Sequence, residues 1–545
     1  MKFSCIHILF FLSLALNAGA QGGDYRFWIQ FTDKQYNSYS MDRPLEYLSS
    51  RSLERRARQG ISLNEQDLPV SGTYLDILST FPVRILYTSR WMNAAVVETG
   101  DSALAGTILQ QPFVSEVECL YHPIPAKKSS ERKWEASGDT AELSSDLQIR
   151  MLQGQALHEA GYLGDGMIIA LLDAGFRNAR QVAGLDSLFL NGRILGTRSF
   201  VEPDSGVFWS ANGEHGTHVL SIMGGNVGGQ YLGTAPGASY WLIQTEDIRS
   251  EYRIEEANWL AGAELADSAG VDVINCSLGY STGFTDSTQN YTYAQMNGNS
   301  TLVTRAAMLA ASRGMLVVCS AGNSGSVNNS WEYITAPADG ENVLAVGAVD
   351  AGGHRAAFSS RGPASDGRVK PDVMALGQGT WLIGGSGTVQ QGNGTSYSSP
   401  LIAGLSACLW QRYPDADTRD LLQAIRESAS LNPWPDSLYG YGIPNFAMAG
   451  WILTGGQAFA AGDQRFRVYP NPAETVIYLE GPPSVEGMLT YRICDPAGRI
   501  FLEDEIFSLP GIKITIPVQS LPAGSYILSL RRQGWSGNSL FIKTR

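Results

Sequence analysis

Met167-Ile168-Ile169-Ala170-Leu171-Leu172-Asp173-Ala174-Gly175 is the stretch on which the fold turns. Its apolar residues follow one another without alternation, as a strand covered on both faces requires, and the run ends on a carboxylate and a glycine turn. Outward from it, short runs of the same kind recur at Tyr240 to Ile243, Val271 to Ile274, Met315 to Val318 and Val343 to Val349, with helical stretches between them. Residues 148–452 therefore read as α/β, a parallel sheet with helices on both faces.

The flanks carry other patterns. In 21–122, Tyr25, Phe27, Ile29 and Phe31 alternate with other residues, Ser49 to Gln59 is a basic helical stretch, and Trp91 to Val97 and Phe113 to Cys119 read as strands, so a small α+β unit is expected. In 465–545, Thr475 to Leu479, Leu489 to Cys494, Ile512 to Ile516, Ser525 to Leu530 and Leu540 to Ile542 alternate around turns such as Asp495-Pro496-Ala497-Gly498, which suggests an all-β sandwich. Two linkers separate these units: 123–147, polar and aperiodic and the expected processing site, and 453–464, rich in small residues. At the start, Lys2, the apolar run Cys5 to Leu16 and Ala18-Gly19-Ala20 read as a signal peptide over 1–20, so export is expected.

Composition narrows the function. The 545 residues hold 39 Lys and Arg against 52 Asp and Glu, a formal charge of -13, and the basic clusters are short, so no nucleic-acid partner is expected. No later apolar run is long enough for a bilayer, so the mature chain is expected to lack a transmembrane segment. Beyond the leader stand Cys119, Cys276, Cys319, Cys408 and Cys494, an odd and widely spaced set without a disulfide or CxxC pattern. Buried thiols are the expectation; Cys276 and Cys319 each end an apolar run, which leaves a bridge between neighbouring strands open.

In an α/β sheet, ligands gather at strand ends. Four such ends carry polar residues: Asp173-Ala174-Gly175, His215-Gly216-Thr217-His218, Ser320-Ala321-Gly322-Asn323 and Gly394-Thr395-Ser396. Each has a plain structural alternative, since Asp and Asn serve turns and Ser and Thr cap helices. A metal pair at His215 and His218 would need a third ligand, and no HExxH spacing exists among six histidines, so no metal is assigned and His218 is read as a structural partner. Taken together the four ends suit acyl transfer: a serine hydroxyl needs an imidazole to remove its proton, the imidazole needs a buried carboxylate, and the oxyanion needs fixed donors.

These four motifs, in this order and ending in Gly394-Thr395-Ser396-Tyr397-Ser398-Ser399-Pro400, resemble the signatures of subtilisin-like serine proteases over about 148–450. The resemblance implies that Asp173 orients, His215 is general base and acid, Ser396 is the nucleophile, and Asn323 with the Ser396 N–H forms the oxyanion hole. It further implies that Ser277, Leu278 and Gly279, with Ser320, Ala321 and Gly322, bind protein or peptide substrates. Two departures stand out: Ala174 where the family has a small hydroxyl residue, and Tyr397-Ser398 where it has Met-Ala. Calcium sites are common in the family, but Gly224 to Gly233 carries no acidic residue; structural calcium is left unassigned, and no cofactor is required for the chemistry.

By the same resemblance, residues 21–122 stand where the family carries an inhibitory propeptide, and Trp91 to Val97 is similar to its central strand. The last block, with Phe466-Arg467-Val468-Tyr469-Pro470-Asn471-Pro472 and Leu521-Pro522-Ala523-Gly524-Ser525-Tyr526, resembles the C-terminal sorting domain of type IX secretion. The implied protein is a zymogen-type endopeptidase, secreted or outer-membrane associated at the surface of a Bacteroidota-like bacterium, with the type IX machinery as a partner. The competing expectation is a non-catalytic surface adhesion or binding protein that keeps the fold.

Overall fold

The computed structural model of the chain describes residues 24–123, 136–137, 145–202, 206–208, 213–326, 329–454, 467–480, 487–496, 498–508, 513–532 and 535–544. The expected leader and most of both expected linkers lie outside them.

The expected parallel sheet is present and has seven strands, in the order Val373–Leu376, Val343–Val349, Leu316–Ser320, Val273–Cys276, Ile168–Asp173, Ser239–Gln244 and Ile194–Ser199. All neighbours run parallel. Every residue of Ile168–Asp173 is buried, and its side chains divide by parity between two cores. Ile169 and Leu171 join one core with the helices His215–Gly224 and Thr395–Arg412. Ile168, Ala170 and Leu172 join the other with Ile254–Ala269 and Leu302–Ser312. Period-two geometry on a sheet covered from both sides requires this split. Ile168–Asp173 is also where the chain crosses from one half of the sheet to the other, so its C-terminal end faces the crevice in which open α/β sheets bind ligands.

Two strands of this sheet carry no clear sequence signal, and both are edges. Ile194–Ser199 alternates exposed Leu195, Thr197 and Arg198 with Gly196, and Val373–Leu376 is four residues long directly after Pro371-Asp372. Cys276 and Cys319 stand opposite each other on adjacent strands as buried free thiols. The Trp259 indole N–H donates to Cys276 Sγ at 3.2 Å.

The N-terminal unit is an antiparallel sheet in the order Arg84–Ser89, Ala94–Thr99, Tyr25–Phe31 and Val114–Tyr121. Phe27, Ile29, Phe31, Ala95 and Val97 pack on its own helices through Tyr74, Leu78 and Ile108. The other face, Trp28, Ala94, Val96 and Leu120, is part of the core that holds Ile254, Ala257 and Leu260 of the central unit. One side of this small sheet is therefore completed by the α/β unit.

The C-terminal strands form two antiparallel sheets, one of Arg467–Tyr469, Val476–Glu480 and Lys513–Pro517, the other of Ile500–Ser508, Gly487–Cys494, Gly524–Arg532 and Trp535–Lys543. Ile477, Leu479, Ile514 and Ile516 of the first share a core with Leu489, Ile493, Leu528 and Phe541 of the second. Ile500–Ser508 escapes a reading by alternation because Glu503-Asp504-Glu505 interrupts it, which an edge strand tolerates. Among the described residues no helix is long and apolar enough to cross a membrane.

Candidate active site

Asp173 ends its strand fully buried, and burial of a carboxylate requires hydrogen-bond partners. Its Oδ1 accepts from the Ala174 N–H at 2.7 Å and lies 2.7 Å from His215 Nδ1. A carboxylate only accepts, so Nδ1 carries the proton and Nε2 is the basic nitrogen of His215. His215 opens the helix His215–Gly224, and Gly216 makes its docking feasible: a Cβ there would stand 2.6 Å from the Gly175 carbonyl oxygen and against the Phe176 ring. The Gly216 N–H instead donates to that carbonyl at 3.0 Å.

Ser396 lies in the first turn of the helix Thr395–Arg412. Four residues on, Pro400 has no N–H to offer the Ser396 carbonyl, and the Ser277 hydroxyl donates to that oxygen at 2.9 Å in its place. The Ser396 hydroxyl donates to the Ser277 carbonyl at 3.0 Å. Asn275 steadies the contact, since its Nδ2 donates to Ser277 Oγ at 3.0 Å and its Oδ1 accepts from the Ser399 hydroxyl at 2.9 Å.

Asn323 is oriented by its own oxygen. Oδ1 accepts from the N–H and the hydroxyl of Thr395, both at 2.9 Å, which turns Nδ2 toward the helix start. A Cβ placed on Gly394 would stand 3.6 Å from that Nδ2 and 3.7 Å from the Ser396 nitrogen. The absent side chain thus marks a pocket between two N–H donors, at the N-terminal end of an 18-residue helix whose dipole favours negative charge.

The two candidate substrate segments lie side by side. The Ser320 hydroxyl donates to the Leu278 carbonyl at 3.3 Å, and the Ala321 carbonyl accepts from the Thr335 N–H at 3.1 Å. Leu278 is buried, Gly279 is half-buried, and Ala321 and Gly322 continue directly from the strand Leu316–Ser320.

His218 is half-buried and stands 3.3 Å from the Tyr397 hydroxyl through Nδ1 and 3.5 Å from Glu214 through Nε2. The Tyr397 ring packs between it and His215, with centroids 6.3 and 5.9 Å away. His218 anchors the residue after Ser396, and the structural reading of this histidine is the one its neighbours favour. Gly224–Gly233 forms a short hairpin, Asn226–Val227 with Tyr231–Leu232. Glu246, Glu251 and Glu255, which sequence reasoning did not single out, each bring one oxygen within 4.8 Å of the others. They precede or begin the helix Ile254–Ala269, and no spacing rule marks them because Glu246 comes from the strand side of the loop.

Comparison with known proteins adds three matched regions. Residues 164–442 match the model of the subtilase family, residues 26–136 that of the peptidase S8 propeptide domain of Bacteroidota, and residues 467–543 that of the secretion system C-terminal sorting domain. Subtilisin E of Bacillus subtilis is 31% identical over 308 residues, which are 55% of this chain and 70% of that protein. The subtilisin of Bacillus pumilus is 30% identical over 308 residues, 55% of this chain and 97% of the relative. A thermostable alkaline protease of Halalkalibacterium halodurans is 28% identical over 298 residues, 54% of this chain and 70% of the relative.

Proposed function

The chain belongs to the subtilase family of serine endopeptidases, and from that premise we propose that Ser396, His215 and Asp173 carry its chemistry through a covalent acyl-enzyme. The observation that carries this reading is the 2.7 Å contact from buried Asp173 to His215 Nδ1, which leaves Nε2 as the proton acceptor of a ring that lies 5.9 Å from that of Tyr397, the residue after Ser396. In this reading the Ser396 hydroxyl leaves the Ser277 carbonyl and turns to His215 Nε2. His215 then takes the proton as Oγ attacks the scissile carbonyl carbon, and the oxyanion moves into the Gly394 pocket between Asn323 Nδ2 and the Ser396 N–H. His215 returns the proton to the leaving amine, and a water repeats the sequence to free the acid. Substrate main chain lies along Ser277, Leu278 and Gly279 as an added strand, with Ser320, Ala321 and Gly322 forming the opposite wall.

The protein carries a propeptide and a sorting domain of Bacteroidota type, and it is secreted or displayed at the cell surface. We assign protein or peptide substrates and the type IX machinery as its partners, and processing to the linker after the propeptide. Calcium is not assigned.

The test is a serine-directed fluorophosphonate on the matured protein, read by mass spectrometry. Label on the peptide that contains Ser396, absent in Ser396→Ala, is the expected result. A matured wild-type protein that degrades peptides without taking label overturns the assignment.

A further inference from the structure

Tyr397 stands where the family has Met after the proposed nucleophile, and no step of the proposed reaction uses it. It is buried, and its hydroxyl lies 3.3 Å from His218 Nδ1. Burial, with Asp173 and Glu214 near by, holds that hydroxyl well above its ordinary value, so it keeps its proton and donates to Nδ1. Nε2 of His218 then carries the ring's proton and faces Glu214 Oε1 at 3.5 Å, and His218 holds the Glu214 carboxyl below its ordinary value. Glu214, His218 and Tyr397 thus repeat the order carboxylate, imidazole, hydroxyl of Asp173, His215 and Ser396. The two sets share their elements: the histidines lie three residues apart in His215–Gly224, and the hydroxyls are on consecutive residues of Thr395–Arg412.

The Tyr397 hydroxyl is buried and engaged with His218, so the second set fixes a ring and offers a substrate nothing to react with. That ring has its centroid 5.9 Å from the His215 centroid and its plane tilted by 32°, closer to parallel than to edge-on. Gly392 leaves room for it: a Cβ there would stand 2.6 Å from Tyr397 Cε2 and 2.8 Å from Leu382 Cδ2. One end of the side chain is joined to the backbone beside Ser396 and the other is tied to His218, so turning away from His215 would cost the His218 contact. His215 is neutral when it accepts the Ser396 proton and an imidazolium once it has, and an aromatic ring within about 6 Å favours a cation by about 3- to 30-fold. The other charged or titratable side chains around His215 are Asp173 at 2.7 Å, His218 on its own helix and Glu214 just before it, with Arg177 3.9 Å from Glu214. The strand Gln378–Ile383, packed on the same helix, carries none.

We propose that Tyr397, held by His218 and Glu214, is a positioning residue for the reaction: its ring keeps the His215 imidazole aligned and favours the imidazolium that forms as Ser396 attacks. This rests on the reading of Ser396 and His215 as nucleophile and base.

The test compares the matured parent with Tyr397→Leu, Tyr397→Met and Tyr397→Phe on one peptide that the parent hydrolyses, with active enzyme counted by fluorophosphonate labelling. The two variants without a ring are expected to lose about 10-fold in kcat with KM within about 2-fold of the parent. Their acid limb of kcat/KM is expected to move to lower pH, by up to about one unit, because the charged imidazole has lost its support. Tyr397→Phe keeps the ring and loses only the tether, so its kcat is expected within about 3-fold of the parent and its acid limb unmoved. Tyr397→Met serves if Tyr397→Leu does not fold, since a flexible thioether fills irregular gaps. Unchanged kcat in the variants without a ring, a loss that leaves the acid limb in place, or an equal loss in Tyr397→Phe overturns the inference. A parent that hydrolyses the peptide without taking label overturns the nucleophile reading, and this inference with it.

Discussion

Gly394 adopts φ +150°, a conformation that L side chains rarely take, and the space its side chain would fill is the space proposed for the oxyanion. Gly394→Ala therefore carries two penalties at once, backbone strain and an occupied pocket. Its kcat is expected to fall at least as far as that of Asn323→Ala, about 10²–10³-fold, the usual result of removing one oxyanion donor. Peptide hydrolysis with kcat and KM separated checks this: a fall in KM-controlled binding alone, with kcat retained, places the oxyanion elsewhere. At this scale the proposed set of Asp173, His215, Asn323 and Ser396 could be nominated from sequence because each proposed role calls for one residue type at a strand or helix end. The supports could not be. That Pro400 frees a carbonyl for Ser277, and that Thr395 turns the Asn323 amide, depends on contacts between segments more than 70 residues apart, which no local pattern encodes.

The helix Ile254–Ala269 shows the same limit for an element. Its hydrophobic pattern is weak because acidic residues lie on buried positions, and Glu256 is one of them. Burial pushes its carboxyl up from 4.5 to about 7, against hydrogen bonds from the Tyr291 hydroxyl at 2.6 Å and the Val303 N–H at 3.0 Å. Below the unfolded value the group is neutral in both states and costs nothing. As pH rises from 4.5 to about 7 the unfolded chain releases the proton while the folded one still holds it, so folding stability falls over that window and levels off above it. Glu256→Gln, whose amide can serve both partners, is expected to leave Tm unchanged near pH 4 and to raise it by about 5 °C near pH 8. Calorimetry on the Ser396→Ala background decides it; equal shifts at both pH values mean that Glu256 does not titrate in this range. The long uniform strands were legible from burial on both faces, whereas edge strands such as Ile194–Ser199 and Ile500–Ser508 lose that pattern because one side meets solvent.

For the whole molecule, the two flanking units relate to the protease domain in opposite ways. The propeptide sheet lends Trp28, Ala94, Val96 and Leu120 to a core it shares with the protease domain, and the basic composition of its first helix gave no hint that those charges are buried in a joint interface. Period-two alternation marked one face of that sheet for its own helices and said nothing about what covers the other. Among the described residues the C-terminal strands keep their core to themselves: its buried residues fall between Ala473 and Phe541. A contact such as Asn471 Nδ2 to the Ser430 carbonyl at 3.4 Å adds little to a domain already packed on both sheets. A chain ending at residue 454 is therefore expected to keep kcat/KM and to match the Tm of the parent's protease transition within about 2 °C, since separately cored domains fold as units. In the producing cell the same truncation is expected to lose export, because the sorting domain is gone, and the enzyme should be recovered from the cell fraction rather than the medium or surface. Purified truncated enzyme with weakened catalysis would show that the last unit supports the active site directly, and the division of labour drawn from its separate core would fail.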